Sequence, residues 1–286
     1  MLGTDLAEIL LAEASCHVIV ADRVALDITD ARALGRAVSE LGPRGVVLNA
    51  AGWTNVDAAE AQEEHARAVN GAGVRVLATA CRAAAATLVH VSTDYVFGGP
   101  DPDGEAGQTA SDYSEYAQPA PINAYGRSKL DGERAVLELC PETGYVLRTA
   151  WLYGRHGRNF VSTMLGLAAT RETVQVVDDQ VGQPTWTHEL ALRMVEIGTR
   201  RGKAGIYHAT AAGETSWFGL AQAAFVEAGL DPARVQPVST ATFPRPATRP
   251  ARSVLGHDGW ARAGMPALGA WRPMLARAFR AGVFAA

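Results

Sequence analysis

The sequence predicts an α/β fold, a doubly wound parallel sheet followed by a smaller, irregular C-terminal lobe. Three observations carry the prediction. Short apolar runs alternate with helical stretches of ten residues or more, the pattern of βαβ units. Those runs are apolar throughout instead of alternating, as expected of strands covered on both faces. Beyond Arg148 this rhythm loosens, and Trp, Pro and Gly become frequent.

The elements follow in order. Thr4 to Ala14 reads as a helix because Leu6, Ile9, Leu10 and Glu13 recur at helical spacing. His17 to Ala21 reads as a short strand ending at Asp22. A helix from about Ala31 to Leu41 is closed by Gly42-Pro43. Val46 to Leu48 is a buried strand that stops at Asn49-Ala50-Ala51-Gly52. A helical stretch from about Glu63 to Ala85 leads to a strand at Leu88 to Ser92. The Gly, Asp and Pro residues of Gly98 to Ser111 mark a long surface loop. Asn123 to Leu139 then reads as a helix and Tyr145 to Arg148 as a strand. Farther on, Phe243 to Pro250 is too rich in proline for anything but an extended loop.

Composition narrows the function classes. The 286 residues are 48% hydrophobic and 20% charged, which excludes a mainly disordered chain. With 26 basic against 30 acidic residues the net charge is −4, which points away from nucleic acid as a partner. No apolar run is long enough to span a bilayer, and the first residues lack a signal-peptide pattern, so the expected setting is the cytoplasm. Cys16, Cys81 and Cys140 are far apart and odd in number, which suits three small buried hydrophobes better than disulfides or a zinc site. The seven histidines are scattered, so no metal site is expected.

The chemistry concentrates at a few stations. Tyr125 and Lys129 stand four apart on a predicted helix and so share a face. A lysine cation favours phenolate, and such a tyrosine can give its proton to a carbonyl oxygen as a hydride reaches the carbon. The same spacing also suits an ordinary surface helix. Ser92 and Thr93 end a predicted strand, at the sheet edge where doubly wound folds bind ligands. They could equally cap a turn. The small residues Asn49, Ala50, Ala51 and Gly52 allow a flat cofactor to lie against the backbone, or simply build a tight turn. Asp22 lies 19 positions after Gly3, close to the interval between a phosphate-binding glycine and the acid that holds an adenosine ribose. It could instead be an exposed loop acid, and Arg23 beside it could meet a 2′-phosphate.

In this order these stations resemble the dTDP-4-dehydrorhamnose reductase family of extended short-chain dehydrogenases, over nearly the whole chain. The resemblance runs through Leu26-Asp27-Ile28-Thr29-Asp30, Asn49 to Asp57, Ser92 to Phe97, Asn123 to Lys129, Arg148 to Gly154, Val177 to Thr185 and Arg249 to Ser253. It implies a Rossmann-like fold, an NADPH or NADH cofactor and a dTDP-4-keto-6-deoxyhexose substrate. It also implies residue roles. Tyr125 would donate the proton, Lys129 would hold the nicotinamide ribose, and Thr93 would orient the sugar carbonyl. Gly3, Asp22, Arg23, Asp27 and the stretch Asn49 to Gly52 would meet the cofactor. Asp94, Tyr95 and Trp151 would line the sugar pocket, with Arg249 near the nucleotide end of the substrate. Trp151 also fits plain core packing, and Arg249 a solvated loop charge. Some relatives pair as homodimers, so the resemblance admits that assembly.

The implied division assigns residues 1–147 with about 172–190 to a dinucleotide-binding domain. It assigns about 148–171 with 191–286 to a substrate-binding lobe. One departure from the family stands out. Gly3 matches the last glycine of a Gly-x-x-Gly-x-x-Gly turn, and the preceding strand and glycines have no counterpart. The expectation is a native start roughly a dozen residues upstream, about one strand and a loop. A non-catalytic regulatory subunit of the same fold is the alternative function. Dehydratase chemistry is disfavoured because Thr93 is followed by Asp94-Tyr95, where Asp-Glu is usual.

Overall fold

The computed structural model describes residues 1–13, 16–99 and 112–285. The expected loop from Gly98 to Ser111 lies almost wholly outside the described residues, as does the predicted helix end at Ala14. In chain order the first elements are α1 (Leu2–Leu11), α2 (Ala31–Ser39), β1 (Val46–Asn49), α3 (Val56–Ala61) and α4 (Glu63–Arg67). A π-helical stretch, Ala68–Gly73, joins α4 to α5 (Val74–Ala84). Then come β2 (Thr87–Thr93), α6 (Ala124–Leu139), β3 (Gly144–Thr149), β4 (Leu152–Tyr153) and α7 (Phe160–Ala168). They are followed by β5 (Val174–Val177), β6 (Val181–Gly182), β7 (Thr185–Trp186), α8 (Thr187–Arg200) and β8 (Gly205–His208). The chain closes with β9 (Thr215–Ser216), α9 (Trp217–Glu227), β10 (Val235–Val238), α10 (Asp258–Arg262) and α11 (Trp271–Arg280).

The main sheet is parallel, in the order β1, β2, β3, β8. Its central strands are apolar and buried on both faces, which is why they read as continuous runs. Leu2 and Leu6 of α1 join Val89, Leu147, Leu190, Met194 and Ile197 in the core on one face. On the other face Leu34, Val38, Leu77 and Cys81 pack with Leu88 and Val146. Helices on both sides of a parallel sheet are the doubly wound, Rossmann-like arrangement expected from the sequence.

Three expectations are corrected. His17 to Ala21 forms no strand. Ile19 and Val20 are each 55% exposed and the segment pairs with no strand, leaving the outer edge of β1 open among the described residues. The division between the units also shifts. Strand β8 pairs with β3, and α8 packs on β1, β2 and α1, which places 187–208 with the main sheet. Strand β5 pairs instead with β10, and its Val174 and Val176 pack with α7 and α9 in the lobe. Finally, Cys16 is exposed, whereas Cys81 and Cys140 are buried as expected. No helix among the described residues is long and apolar enough to cross a membrane.

Candidate active site

Helix α6 carries the central pair. Asn123 caps it, its side chain accepting from the Gly126 N–H at 2.8 Å. Gly126 is required by close approach, because a Cβ there would overlap the Tyr95 carbonyl oxygen. The helix thus lies tight against the C-terminal end of β2, where Thr93 and Tyr125 are hydrogen-bonded through their side chains. Burial pushes the Tyr125 phenol up to about 12, while the Thr93 hydrogen bond acts in the opposite direction. Lys129, one turn on and 5% exposed, donates from Nζ to the Val91 carbonyl at 2.6 Å. Burial brings its ammonium down to about 8, with Glu133 opposing that fall. Burial dominates the Tyr125 phenol and Lys129 is not among the groups that act on it, so the lowering expected from the lysine does not appear.

The loop after β1 faces the same space. Asn49 accepts from the Ala51 N–H at 3.0 Å and contacts His90 Nδ1 at 2.9 Å. A Cβ at Gly52 would stand 3.1 Å from Asn70 Oδ1 and 3.7 Å from Lys129 Nζ, so glycine keeps room beside the lysine. Gly3 lies at this loop too, its added Cβ 3.9 Å from that of Ala50. A bare backbone floor beside a buried cation suits the ribose and nicotinamide half of a dinucleotide. Asp22, Arg23 and Asp27 sit apart on an exposed turn. Asp22 accepts from the Val24 and Ala25 N–H groups, Asp27 accepts from Thr29, and Arg23 pairs with Asp27 at 3.5 Å.

Of the residues proposed for the substrate, Asp94 and Tyr95 adjoin Thr93 and Arg249 reaches Tyr95, whereas Trp151 lies with Trp217 and Gly182. Asp94 is buried and takes a hydrogen bond from Ser253 Oγ at 2.5 Å. Burial raises its carboxyl to about 6 against the pull of Ser253 and Thr93. The ring of Tyr95 meets Tyr125 edge-on at 6.0 Å. Arg249 bonds Tyr95 and pairs with Asp57 at 2.6 Å, so it is not a free loop charge. Trp151, just past β3, holds a left-handed backbone (φ 47°) and stacks on Trp217 at 3.5 Å.

Sequence reasoning missed several residues. Asn70 is fully buried in the π-helical stretch, bonding the Trp53 backbone and Ser128 Oγ. A polar residue on the apolar face of a helical run was the available signal. Asp5, Glu8 and His156 place ligating atoms within 4.8 Å of one another, although no metal cluster was expected. His156 is remote in sequence from the two acids, so spacing could not reveal the group.

Residues 1–283 match the family described as the RmlD substrate binding domain. A dTDP-4-keto-6-deoxy-D-glucose reductase of Streptomyces niveus is 47% identical, covering 98% of this chain and 93% of its own. A dTDP-4-dehydrorhamnose reductase of Streptomyces griseus is also 47% identical, covering 98% and 90%. Among solved structures, a dTDP-4-dehydrorhamnose reductase of Clostridium acetobutylicum superposes with a TM-score of 0.89 at 36% identity, covering 98% and 95%. That of Bacillus anthracis, solved in complex with NADP, gives 0.87 at 36% identity and the same coverage. Sequence, fold and the convergence of Thr93, Tyr125 and Lys129 agree, and the chain belongs to the dTDP-4-dehydrorhamnose reductase (RmlD) family.

Proposed function

We propose that this chain reduces the 4-keto group of a dTDP-4-keto-6-deoxyhexose, using NADPH or NADH, in the biosynthesis of dTDP-L-rhamnose or a related deoxysugar. The observation that carries the reading is the Thr93, Tyr125 and Lys129 cluster at the C-terminal end of β2. The cofactor, when bound, supplies the hydride that adds to the carbonyl carbon and leaves as its oxidised form.

The chain's own residues manage the oxygen. Thr93 and Tyr125 hydroxyls hold the carbonyl, which fixes the face that is attacked. As the C=O π pair moves onto oxygen, Tyr125 Oη gives up its proton and the oxygen becomes the new hydroxyl. A phenol raised to about 12 stays fully protonated near neutrality, so the donor is always loaded. An alkoxide is a stronger base than phenolate, so the transfer still runs downhill. The Lys129 cation then steadies the phenolate until solvent returns its proton.

Asp94, Tyr95 and Trp151 are the proposed walls of the sugar pocket, and Arg249 the residue nearest the diphosphate. Gly3 and the stretch Asn49 to Gly52 are the proposed cofactor floor. Asp22, Arg23 and Asp27 are proposed for the adenosine end, where local turn bonds give them their present positions. We propose a cytoplasmic enzyme that acts on small molecules and not nucleic acid, with a homodimer as the assembly that fits the family. A regulatory subunit would have no use for a loaded phenol beside a buried cation.

The test is NADPH oxidation by the purified chain, with substrate generated in situ and a Tyr125→Phe control. Turnover lost in the control supports the reading. Equal turnover by both proteins, or none by the folded parent, removes it.

A further inference from the structure

Three consecutive residues of β2 are each held by a side chain of α6. Lys129 donates to the Val91 carbonyl, Ser92 Oγ donates to Glu133 Oε1 at 2.5 Å, and Thr93 bonds Tyr125. Tyr125, Lys129 and Glu133 stand four residues apart in turn, along one face of the helix. Only Glu133 has no part in the chemistry above.

Its surroundings are costly. Glu133 and Arg148 are each 1% exposed and joined bidentately, Nε to Oε1 at 2.9 Å and one terminal nitrogen to Oε2 at 2.7 Å. The Phe97 ring covers the guanidinium at 4.9 Å. A packed apolar pair in such a place is commonly as stable or more so, so stability alone does not explain two charges here.

The charged and titratable groups facing Lys129 can be named. From β2 comes His90, fully buried and kept neutral by that burial. From α6 comes Glu133, with Arg148 of β3 meeting it, and Tyr125 stands one turn before Lys129 on the same helix face. The loop Asn49 to Gly52 brings no charge. Glu133 is therefore the carboxylate acting on the lysine.

We propose that Glu133 is a positioning residue for the reduction: clamped by Arg148 and Ser92, its carboxylate is the counter-charge that keeps Lys129 cationic and seated beside Tyr125. This rests on the roles proposed above for Tyr125 and Lys129. Arg148 fixes the direction of the carboxylate, and Ser92 ties it to the strand that carries Thr93. Removing the charge lets desolvation strip the lysine proton at a lower pH, so turnover fails earlier as pH rises.

The experiment is the pH dependence of kcat/KM for NADPH-dependent reduction, from about pH 6 to about pH 9, on the full chain. Glu133→Gln keeps the shape and removes the charge. Its basic limb should move down by about one pH unit, lowering kcat/KM at pH 8 roughly fivefold and at pH 9 roughly tenfold, with a smaller loss near pH 6. Glu133→Asp keeps the charge, and its limb should stay at the parent position even if the rate falls. Should Glu133→Gln not fold, the double variant with Arg148→Met removes both buried charges and should move the limb in the same direction by less, because the arginine's repulsion is lost as well. A limb that stays put in the charge-free variants, or that moves equally in Glu133→Asp, overturns the proposal. So does a parent enzyme whose plateau ends below about pH 7, a reading that needs no variant. If Tyr125→Phe still turns over, the site assignment itself has failed. An inactive Tyr125→Phe beside an unmoved Glu133→Gln limb overturns the Glu133 role alone.

Discussion

Ser253 donates from Oγ to Oδ2 of Asp94 at 2.5 Å, joining positions 159 residues apart. The bond fastens the loop that carries Arg249 to the residue after Thr93. It also sits on a carboxyl that burial has raised to about 6 from 3.8. A raised carboxyl pKa means that the native state binds the proton more tightly than the unfolded chain does. The Asp94 contribution to stability is thus complete below about pH 4 and is lost as pH climbs through about 6. The change amounts to roughly 3 kcal/mol. Urea unfolding of the parent and of Asp94→Asn at several pH values reads this directly. The parent should lose stability relative to the variant across that window, and parallel curves would refute it.

Tyr125→Phe should lower kcat by about 10²-fold to 10⁴-fold, the usual worth of a positioned proton donor. The buried ring and its edge contact with Tyr95 remain, so thermal stability and NADPH affinity should change little. Steady-state turnover and a fluorescence titration of NADPH separate the two effects. Unchanged kcat would place the proton donor elsewhere.

Arg249→Ala removes the partner of Asp57 and the proposed contact to the substrate diphosphate. The expected result is a KM for the sugar nucleotide raised about 10-fold to 100-fold with kcat within a factor of about three. Asp57→Asn serves as the comparison, since it loosens the arginine without deleting it. An equal fall in kcat would show that Arg249 acts on the reacting centre instead.

Gly126→Ala should cost about 2–3 kcal/mol, because its Cβ meets backbone and not a side chain that can turn away. For a chain of this size that is a melting point lower by roughly 3–5 °C. Tyr125 would be pushed off β2 as well, so turnover should fall more than folding does. Differential scanning calorimetry beside the rate assay checks both.

The legible parts of the fold are those set by local rules. Strands β2 and β3 showed as short apolar runs because both faces are buried, half-buried β1 showed by its valines and leucine, and α6 showed through its cap and its four-residue spacing. Thr93, Tyr125 and Lys129 were readable because one strand end and one helix face are enough to bring them together. His17 to Ala21 misled because being a strand depends on a neighbour, and a sequence run does not say whether the neighbour is there. Strands β5 and β8 were assigned to the wrong units for the same reason. The partner of β5 lies some sixty residues further on, so composition alone could not choose its sheet. Glu133 with Arg148, and Asp5 with His156, are pairings made only by the folded chain.

Trp151 and Trp217 lie nearly parallel, 6° apart, with ring centres at 3.5 Å and Phe160 alongside Trp217 at 4.6 Å. Two indoles so close share their electronic excitation. They should give a paired, oppositely signed signal in near-ultraviolet circular dichroism and a weakened emission. If a sugar displaces Trp151 from this stack, the coupling breaks and both signals change. The protein would then carry its own optical gauge of occupancy, readable without a dye and in the absence of turnover.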